Sequence, residues 1–257
     1  MNSREEQQHQ ANIVAQFSKQ AIPFTQVPGH YDALQVLLEM SGVGRDDEVL
    51  DVACGPGMVA CEFARHARRV TGLDITPAMI EQAKKRQQEQ NQTNLVWTVG
   101  KAVPLPYADN RFSLVITRYS FHHLLSPQQA LAEMIRVCKP GGRVLVADVA
   151  VDPEKSAAYD RLEILRDPSH THALTRDEFA ELFGRSGLTD CRRSAYGVDI
   201  ELESQLKASF PKPGDEPVIR RLVTEDIGRN QLDINARTVD GQVIYTVPIA
   251  VYVGYKS

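Results

Sequence analysis

The stretch LDVACGPGMVACEF, from Leu50 to Phe63, decides the fold class of this chain. A carboxylate, Asp51, stands near the end of an apolar run, and Gly55 to Ala60 then reads G-x-G-x-x-A. A glycine loop between a strand and a helix lets the backbone approach a ligand at the amino terminus of the helix. The pattern predicts a nucleotide-binding type of α/β domain and leaves the ligand itself open.

Asp51 separates two hypotheses for that ligand. In a dinucleotide-binding loop, free N–H groups receive a negatively charged pyrophosphate, and Asp51 would add another negative charge beside it. The negative charge of Asp51 would instead attract a ligand with an ammonium group. S-adenosylmethionine has an ammonium group, a ribose and an adenine but no phosphate, so Asp51 favours it over NAD. Asp74, which ends the next apolar run, could accept ribose hydroxyls from either ligand.

Short β-branched runs alternate with amphipathic segments from about Glu48 onward, as in EVLDVA, RRVTGLD, NLVWTV, FSLVITR and RVLVADV. This alternation is typical of βα units that build a mainly parallel sheet with helices on both faces. Two helices are predicted to begin at Pro77 and Pro127, with Thr76 and Ser126 as hydroxyl N-caps. Ligands of such sheets bind beyond the carboxyl ends of the strands.

Composition and charge argue against several kinds of protein. With 257 residues, 42% of them hydrophobic, the chain is expected to form one well-cored domain. A net charge of −4 and a pI near 6.0 give no general reason to expect a nucleic-acid partner. The four cysteines form no C-x-x-C pair and none lies near a histidine, so no metal site is expected.

No segment of the sequence has the pattern of a membrane anchor or a signal peptide. The start, MNSREEQQHQ, is polar where a signal peptide needs an apolar core. The longest apolar run, Val243 to Val253, contains a proline and is too short to cross roughly 30 Å of hydrocarbon. We therefore expect a cytoplasmic protein with no membrane partner, and a strand at Val243 to Val253.

Four segments occur in a characteristic order: VLDVACGPG, VTGLDITPAMI, VGKAVPLPYADNRFSLVITRYSFHHL and EMIRVCKPGGRVLVADV, over about residues 48–150. They resemble the class I S-adenosylmethionine-dependent methyltransferases, in the branch that includes the ubiquinone and menaquinone C-methyltransferases. The resemblance implies a Rossmann-like, seven-stranded α/β sheet, mostly parallel, with an antiparallel last strand near Val243 to Tyr255. It also implies S-adenosylmethionine as cofactor, S-adenosylhomocysteine as product and in-line methyl transfer to a small-molecule acceptor.

The whole chain, 1–257, is interpreted as a single methyltransferase domain. Residues 46–200 are expected to form the cofactor-binding core and 236–257 the C-terminal strands. Residues 1–45 and 201–235 interrupt the βα alternation, so we predict an N-terminal helical lid and a substrate-cap insertion over the carboxyl edge of the sheet. His30 and Tyr31 lie in the predicted lid, and His170 and His172 lie in a further segment that could close over the site.

The resemblance assigns the cofactor contacts residue by residue. The methionine part is expected near the glycine loop, the ribose at Asp74 and the ammonium group at a backbone carbonyl near Arg118. The remaining contacts are Asp51, Ala53, Gly55 and Gly57 for the methionine part, Ile75 and Met79 for the adenine faces, and Ala102 for the adenine edge.

Three positions depart from the family pattern. Ala53 stands where glycine is most frequent, and this change is expected to have little effect. Lys101 and Ser113 stand where the family has acidic residues. Lys101 removes a carboxylate that would accept a hydrogen bond from the adenine amino group, so the backbone of Ala102 is expected to read the base. Ser113 is expected to affect local structure rather than chemistry.

The segment TRYSFHHL, after the fourth strand, carries the candidate catalytic residues Tyr119, His122 and His123. By resemblance, His123 is the candidate general base, and Asp148, just past the fifth strand, is the carboxylate that orients it. Adjacent histidines in a helical turn point about 100° apart, so at most one is expected to face the site. His122 is the second candidate for the base, and a structural role for both is the alternative.

Other functions stay open from the sequence alone. They are a protein that binds S-adenosylmethionine without catalysis, an NAD-dependent oxidoreductase, and an RNA methyltransferase, for which no basic extension is found. The sulfonium is a good leaving group, and a base is needed only when the acceptor carries a proton. The sequence therefore does not distinguish O-, N-, S- and C-methylation, and it leaves the oligomeric state open.

Overall fold

The computed structural model describes residues 3–22 and 33–257, which form one twisted sheet between layers of helices. The helices are α1 (Ser3–Gln20), α2 (Leu34–Ser41), α3 (Met58–Ala64), α4 (Pro77–Glu89), α5 (Pro127–Val137), α6 (Ser156–Arg166), α7 (Arg176–Gly184), α8 (Leu202–Ser209) and α9 (Asp215–Glu225). The strands are β1 (Glu48–Val52), β2 (Arg69–Asp74), β3 (Leu95–Val99), β4 (Phe112–Arg118), β5 (Cys138–Val149), β6 (Thr189–Glu201), β7 (Arg237–Val239) and β8 (Gln242–Tyr255).

The strand order is β3-β2-β1-β4-β5-β8-β6, with β7 paired to β8. Strands β1 to β5 are parallel, and β8 lies antiparallel between β5 and β6. The predicted mostly parallel sheet with an antiparallel last strand is confirmed. It has one more strand than predicted, since β7 folds back onto β8 through Asp240 and Gly241, whose φ angles are 48° and 79°.

Both faces of the sheet are buried. Val49 and Leu50 are adjacent in β1, point to opposite faces and are each almost fully buried in a different apolar layer. One layer includes Phe63 from α3, and the other includes Met134 from α5. Burial of both faces explains why the parallel strands read as continuous apolar runs rather than as alternating patterns.

The helix starts at Pro77 and Pro127 are found where they were predicted. Thr76 and Ser126 occupy the N-cap positions, but neither side chain accepts a hydrogen bond from its helix. The loop before α4 is held in another way: the amide of Thr76 donates to Oδ1 of Asp74 at 2.8 Å. The carboxylate that ends β2 therefore fixes the entry to α4.

Helices α1 and α8 lie over the carboxyl edge of the sheet. The side-chain amides of Gln16 and Gln20 donate to the carbonyl oxygen of Ser209, at 2.5 and 3.1 Å, which ties α1 to the end of α8. Helix α2 instead packs beside the sheet, with Leu37 fully buried. Within the described part of segment 1–45, it is α1 that has the position of a lid. His30 and Tyr31 lie outside the described residues.

Within residues 3–22 and 33–257, no helix is both long enough and apolar enough to cross a membrane.

Candidate active site

A cavity of about 350 Å³ opens at the carboxyl ends of β1, β2 and β4. Its walls come from the glycine loop, from the loop that follows β3, from the turn after β4 and from α1. The predicted site residues that line it are Asp51, Ala53, Gly55, Asp74, Ile75, Met79, Ala102, Arg118, Tyr119 and His123. The cavity lining does not include Gly57, His122 or Asp148, which were also predicted.

In the glycine loop, every second residue from Ala53 to Gly57 has a left-handed backbone conformation. The φ angles of Ala53, Gly55 and Gly57 are 56°, 51° and 76°. Gly57 caps the start of α3, and a Cβ atom there would lie 2.8 Å from Cη2 of Trp97 and 2.9 Å from Cβ of Ala83. Gly57 is therefore required for packing behind the loop. A Cβ on Gly55 would meet nothing within 4 Å, so the loop leaves open space there.

Asp74 holds the loop in place from the end of β2. Its Oδ2 accepts a hydrogen bond from the amide of Gly55 and its Oδ1 one from the amide of Thr76, both at 2.8 Å. Burial raises the pKa of Asp74, and these two amides offset part of that effect. Each oxygen keeps a further lone pair, so the carboxylate can accept two hydroxyl groups as well.

Asp51 is the most unusual group in the cavity. It is 2% exposed, and its Oδ2 atom has no hydrogen-bond partner among the described residues. Burial raises the pKa of Asp51 to about 8; the amide of Ala60 and the charge of Arg118 act against this rise, while Asp74 adds to it. Buried polar atoms without a partner are rare, so Asp51 is built to receive a donor from a ligand.

These residues fit S-adenosylmethionine. Asp51 would receive the ammonium group, Asp74 the ribose hydroxyls, and Ile75 and Met79 the faces of the adenine. A pyrophosphate in the same place would offer no donor to the unpartnered oxygen of Asp51 and would set its negative charges beside the buried carboxylate of Asp74. Lys101, which departs from the family pattern, also lines the cavity next to Ala102.

Tyr119 is fixed in the wall of the cavity by its neighbours. Its backbone is left-handed, with φ of 58°, and its amide donates to the carbonyl of Ala147 at 2.9 Å. The guanidinium of Arg118 lies 4.2 Å from the centre of its ring and donates to its hydroxyl at 2.7 Å. That hydroxyl also lies 3.0 Å from the hydroxyl of Tyr196 on β6. The Tyr119 ring is thus held between β4 and β6.

The two adjacent histidines have different partners. Nδ1 of His122 lies 2.5 Å from Oδ1 of Asp148, while Oδ2 of Asp148 accepts from the amides of Ser120 and Phe121 at 2.7 Å. The predicted pairing of Asp148 with His123 is therefore wrong. The reason is local: the histidines lie in a 3-10 turn, which directs adjacent side chains to different sides. Asp148 itself belongs to β5 rather than following it.

His123 lines the cavity and is held through both its ring and its backbone. Its Nδ1 lies 3.1 Å from the carbonyl oxygen of Ser169, and its own carbonyl accepts from Nε2 of His9 at 2.7 Å. No described residue hydrogen-bonds to its Nε2. Burial, and then the neighbouring His122, lower the pKa of His123. For His122, burial also lowers the pKa, but the Asp148 carboxylate outweighs it and the net shift is upward.

The sequence prediction missed His9 and Ser169. His9 comes from a polar stretch of α1, and Ser169 lies in the loop after α6, so only tertiary packing brings them to His123. His170 and His172, which were considered for the lid, bind opposite oxygens of Asp160 at 2.7 and 2.6 Å instead. Neither of them lines the cavity.

Ser113 has the local structural role that was expected of it. Its hydroxyl donates to Oδ1 of Asp47 at 2.7 Å and accepts from the amide of Glu48 at 2.9 Å, at the start of β1.

Residues 50–146 match the family model of a methyltransferase domain. Over 192 residues the chain is 28% identical to the uncharacterized methyltransferase YcgJ of Bacillus subtilis, covering 74% of this chain and 76% of that protein. The crystal structure of YcgJ has the same fold, with a TM-score of 0.80 at 23% identity over 88% of this chain and 99% of the other.

A second relative is the ubiquinone/menaquinone biosynthesis C-methyltransferase UbiE of Roseobacter denitrificans. It is 35% identical over 118 residues, 44% of this chain, and the alignment spans 47% of the length of that relative. Residues 50–146, which match the family model, include the glycine loop and Asp51. The resemblance seen in the sequence is confirmed: residues 50–146 match a methyltransferase domain, and the chain is similar to class I S-adenosylmethionine-dependent methyltransferases of the branch that includes the ubiquinone/menaquinone C-methyltransferases.

Proposed function

We propose that this protein transfers the methyl group of S-adenosylmethionine to a small-molecule acceptor, and that His123 accepts the proton that the acceptor loses. One observation carries the proposal. The unpartnered carboxylate oxygen of Asp51 and the neutral imidazole of His123 face one cavity, so that a site for an ammonium group and a site for a proton acceptor adjoin.

S-adenosylmethionine, when bound, supplies an electrophilic methyl group on a good leaving group. The chain contributes alignment: Asp51 and Asp74 hold opposite parts of the cofactor, and Tyr119 forms the fixed wall beside them. Holding reactants at near-attack distance can lower a barrier by about 7–11 kcal/mol. Helix α1 covers the cavity through Phe17 and Ile13, which keeps water from competing with the acceptor.

The hydrogen bonds of His123 define which nitrogen takes the proton. Because the carbonyl of Ser169 can only accept, Nδ1 of His123 carries the hydrogen and Nε2 carries the lone pair. The lowered pKa keeps this imidazole neutral near pH 7. For an oxygen acceptor a weak base is sufficient, because a hydroxyl oxygen that has just received a methyl group is far more acidic than an imidazolium. The proton of the acceptor would therefore move to Nε2 late in the reaction.

Asp148 and His122 act on this site by positioning. Asp148 accepts the amides of Ser120 and Phe121, so it fixes the turn on which His123 stands. The rings of His122 and His123 lie 4.2 Å apart, and a positive charge on His122 opposes protonation of His123. The pair therefore keeps the base neutral and in place without touching the reacting atoms.

The acceptor is proposed to be a small molecule. The UbiE relative is named as a C-methyltransferase of ubiquinone and menaquinone biosynthesis. In this chain, α1 lies across the cavity and places its own side chains Phe17 and His9 in the lining. This leaves access for a compact acceptor rather than for a polymer.

Transfer of labelled methyl groups from S-adenosylmethionine to a panel of phenols, quinols, amines, thiols and carboxylates tests the proposal. We expect label in at least one compound with wild-type protein and much less with Asp51→Asn at the same sub-saturating cofactor concentration. Binding of S-adenosylhomocysteine without transfer to any compound would favour the alternative of a cofactor-binding protein that has no catalytic activity.

A further inference from the structure

A second cavity, of about 90 Å³, adjoins the first. The two share the side chains of Phe17, Tyr119 and His123, so the second cavity adjoins the first at the proposed base and the fixed tyrosine. It is smaller than the roughly 150 Å³ cavity that holds a benzene ring. Its remaining apolar wall comes from β5, β6 and β8, through Val149, Val198, Ile200, Val247 and Ile249.

The charged side chains at this cavity are already paired with protein groups. Nε of Arg166 lies 3.0 Å from both carboxylate oxygens of Glu163, and its Nη1 donates to the hydroxyl of Ser209 at 3.2 Å. Oδ1 of Asp167 accepts from the amide and the hydroxyl of Ser169, at 2.9 and 2.6 Å. An anionic occupant would therefore lose its hydration without gaining an unpaired cation, since the guanidinium of Arg166 is already paired with Glu163.

Three uncharged polar groups at the same cavity have no hydrogen bonds to described residues. They are the side-chain amide of Gln205 and the hydroxyls of Tyr159 and Tyr245. Gln205 is 8% exposed, and its Oε1 atom is completely buried without a partner. Tyr159 and Tyr245 are buried as well. Since buried polar groups are nearly always hydrogen-bonded, these side chains are arranged to bind a polar group on an occupant.

We infer that the second cavity is the acceptor site, and that it takes a small, uncharged, mostly apolar molecule with an amide or hydroxyl group that Gln205 recognises. This inference rests on the proposed function, because it uses His123 as the base that both the donor cavity and the acceptor cavity contact. Anionic acceptors are excluded from the site because Arg166 is paired with Glu163, and because the carboxylate of Asp167 adds a negative charge to the wall.

A matched pair of probes tests this assignment. Propionamide and propionate have the same carbon skeleton and nearly the same volume, and they differ in charge at pH 7. Each is titrated into full-length protein saturated with S-adenosylhomocysteine, with isoleucine and valine methyl groups labelled for NMR. Gln205→Met removes the amide at similar volume, and Gln92→Met is the control. Gln92 also has a buried unpartnered oxygen, but it lines neither cavity.

We expect propionamide to shift the methyl signals of Ile200 and Ile249 and propionate to leave them unchanged. Gln205→Met should weaken propionamide binding about three- to tenfold, the effect of one hydrogen bond, and Gln92→Met should not change it. Equal binding of both probes, or unchanged binding to a folded Gln205→Met variant, would overturn the inference. If S-adenosylhomocysteine itself does not bind, the proposed function fails, and the same titration of the free protein still tests the cavity.

Discussion

His122 and Asp148 form a buried pair in which Nδ1 lies 2.5 Å from Oδ1, and the pair stands behind the cofactor cavity rather than in it. Asp148 also accepts three backbone amides, from Ser120, Phe121 and Val149. The carboxylate is thus the fixed point of the turn that presents His123. Its role is in the folding of the site, and this differs from the orienting role that the sequence suggested.

Replacement of Asp148 by alanine should therefore affect stability first. Asp148→Ala leaves a buried histidine and three amides without their acceptor, and we expect the free energy of unfolding in urea to fall by about 3–5 kcal/mol. Asp109→Ala is the control, since Asp109 forms an exposed ion pair with Arg136 and should contribute less than about 1 kcal/mol. Equal losses in the two variants would show that Asp148 does not hold the turn.

His123 should control turnover and leave the cofactor affinity unchanged. Loss of a general base lowers the rate by about 100-fold or more, so His123→Ala should do this with any acceptor found by screening. Because the pKa of His123 is lowered, the wild-type rate at saturating cofactor should not fall between pH 7.5 and 6.5. His172→Ala, which alters a histidine outside both cavities, serves as the control. Wild-type turnover by a folded His123→Ala variant would assign the proton to another group or to water.

Ala53 gives a prediction about backbone strain. Its φ of 56° is left-handed, which costs alanine about 1–2 kcal/mol relative to glycine. Acting against this, glycine lowers the free energy of unfolding by about 0.4–1 kcal/mol, because it gives the unfolded chain more conformations. Ala53→Gly should therefore raise the free energy of unfolding by about 0.5–1 kcal/mol. Ala64→Gly, in a right-handed helix, should lower it by about 1 kcal/mol. Destabilisation by Ala53→Gly would show that the alanine methyl packs favourably.

The fold was predictable because its main signals are local. The apolar runs of β1 to β5 and the prolines that open α4 and α5 mark their elements within a few residues. Strands were expected over 236–257, but the bounds of β7 were not predicted, because its three residues, Arg237 to Val239, carry no apolar pattern of their own. Their pairing depends on the Asp240-Gly241 turn and on β8.

The site was predictable only where it follows the strand ends. Asp51, Gly55 and Asp74 lie beside one another because β1 and β2 are adjacent parallel strands. The partners of His123 come from positions 46 and 114 residues away, and no local pattern connects them. Gln205 was missed for the same reason, since an isolated glutamine on a helix has no signal in sequence.

The raised pKa of Asp51 predicts how the stability of the free protein varies with pH. The carboxyl ionises near pH 3.8 when unfolded and near pH 8 when folded, so the folded state holds one extra proton between these values. Its contribution to stability is complete below pH 3.8 and is lost as the pH rises to about 8. Asp51→Asn removes this dependence on pH. The free energy of unfolding of the variant minus that of wild type should therefore rise by about 1 kcal/mol per pH unit between pH 5 and 8, and then level off.

Urea unfolding of the cofactor-free proteins at pH 5, 6, 7, 8 and 9 measures this difference. Asp46→Asn is the matched control at an exposed aspartate, and its stability should stay within about 0.5 kcal/mol of wild type. A constant difference between Asp51→Asn and wild type across this range would show that Asp51 has no displaced titration.

Isothermal titration with S-adenosylhomocysteine and with NAD tests most directly that Asp51 makes this a site for S-adenosylmethionine. At pH 7 the ammonium group should displace the proton of Asp51, so titrations in buffers of different ionisation enthalpy should show proton release by wild-type protein. Asp51→Asn should bind about 1.5–3 kcal/mol more weakly and release no proton, and NAD should give no binding heat. Binding of NAD without binding of S-adenosylhomocysteine, or equal affinity of wild type and Asp51→Asn for S-adenosylhomocysteine, would contradict the assignment.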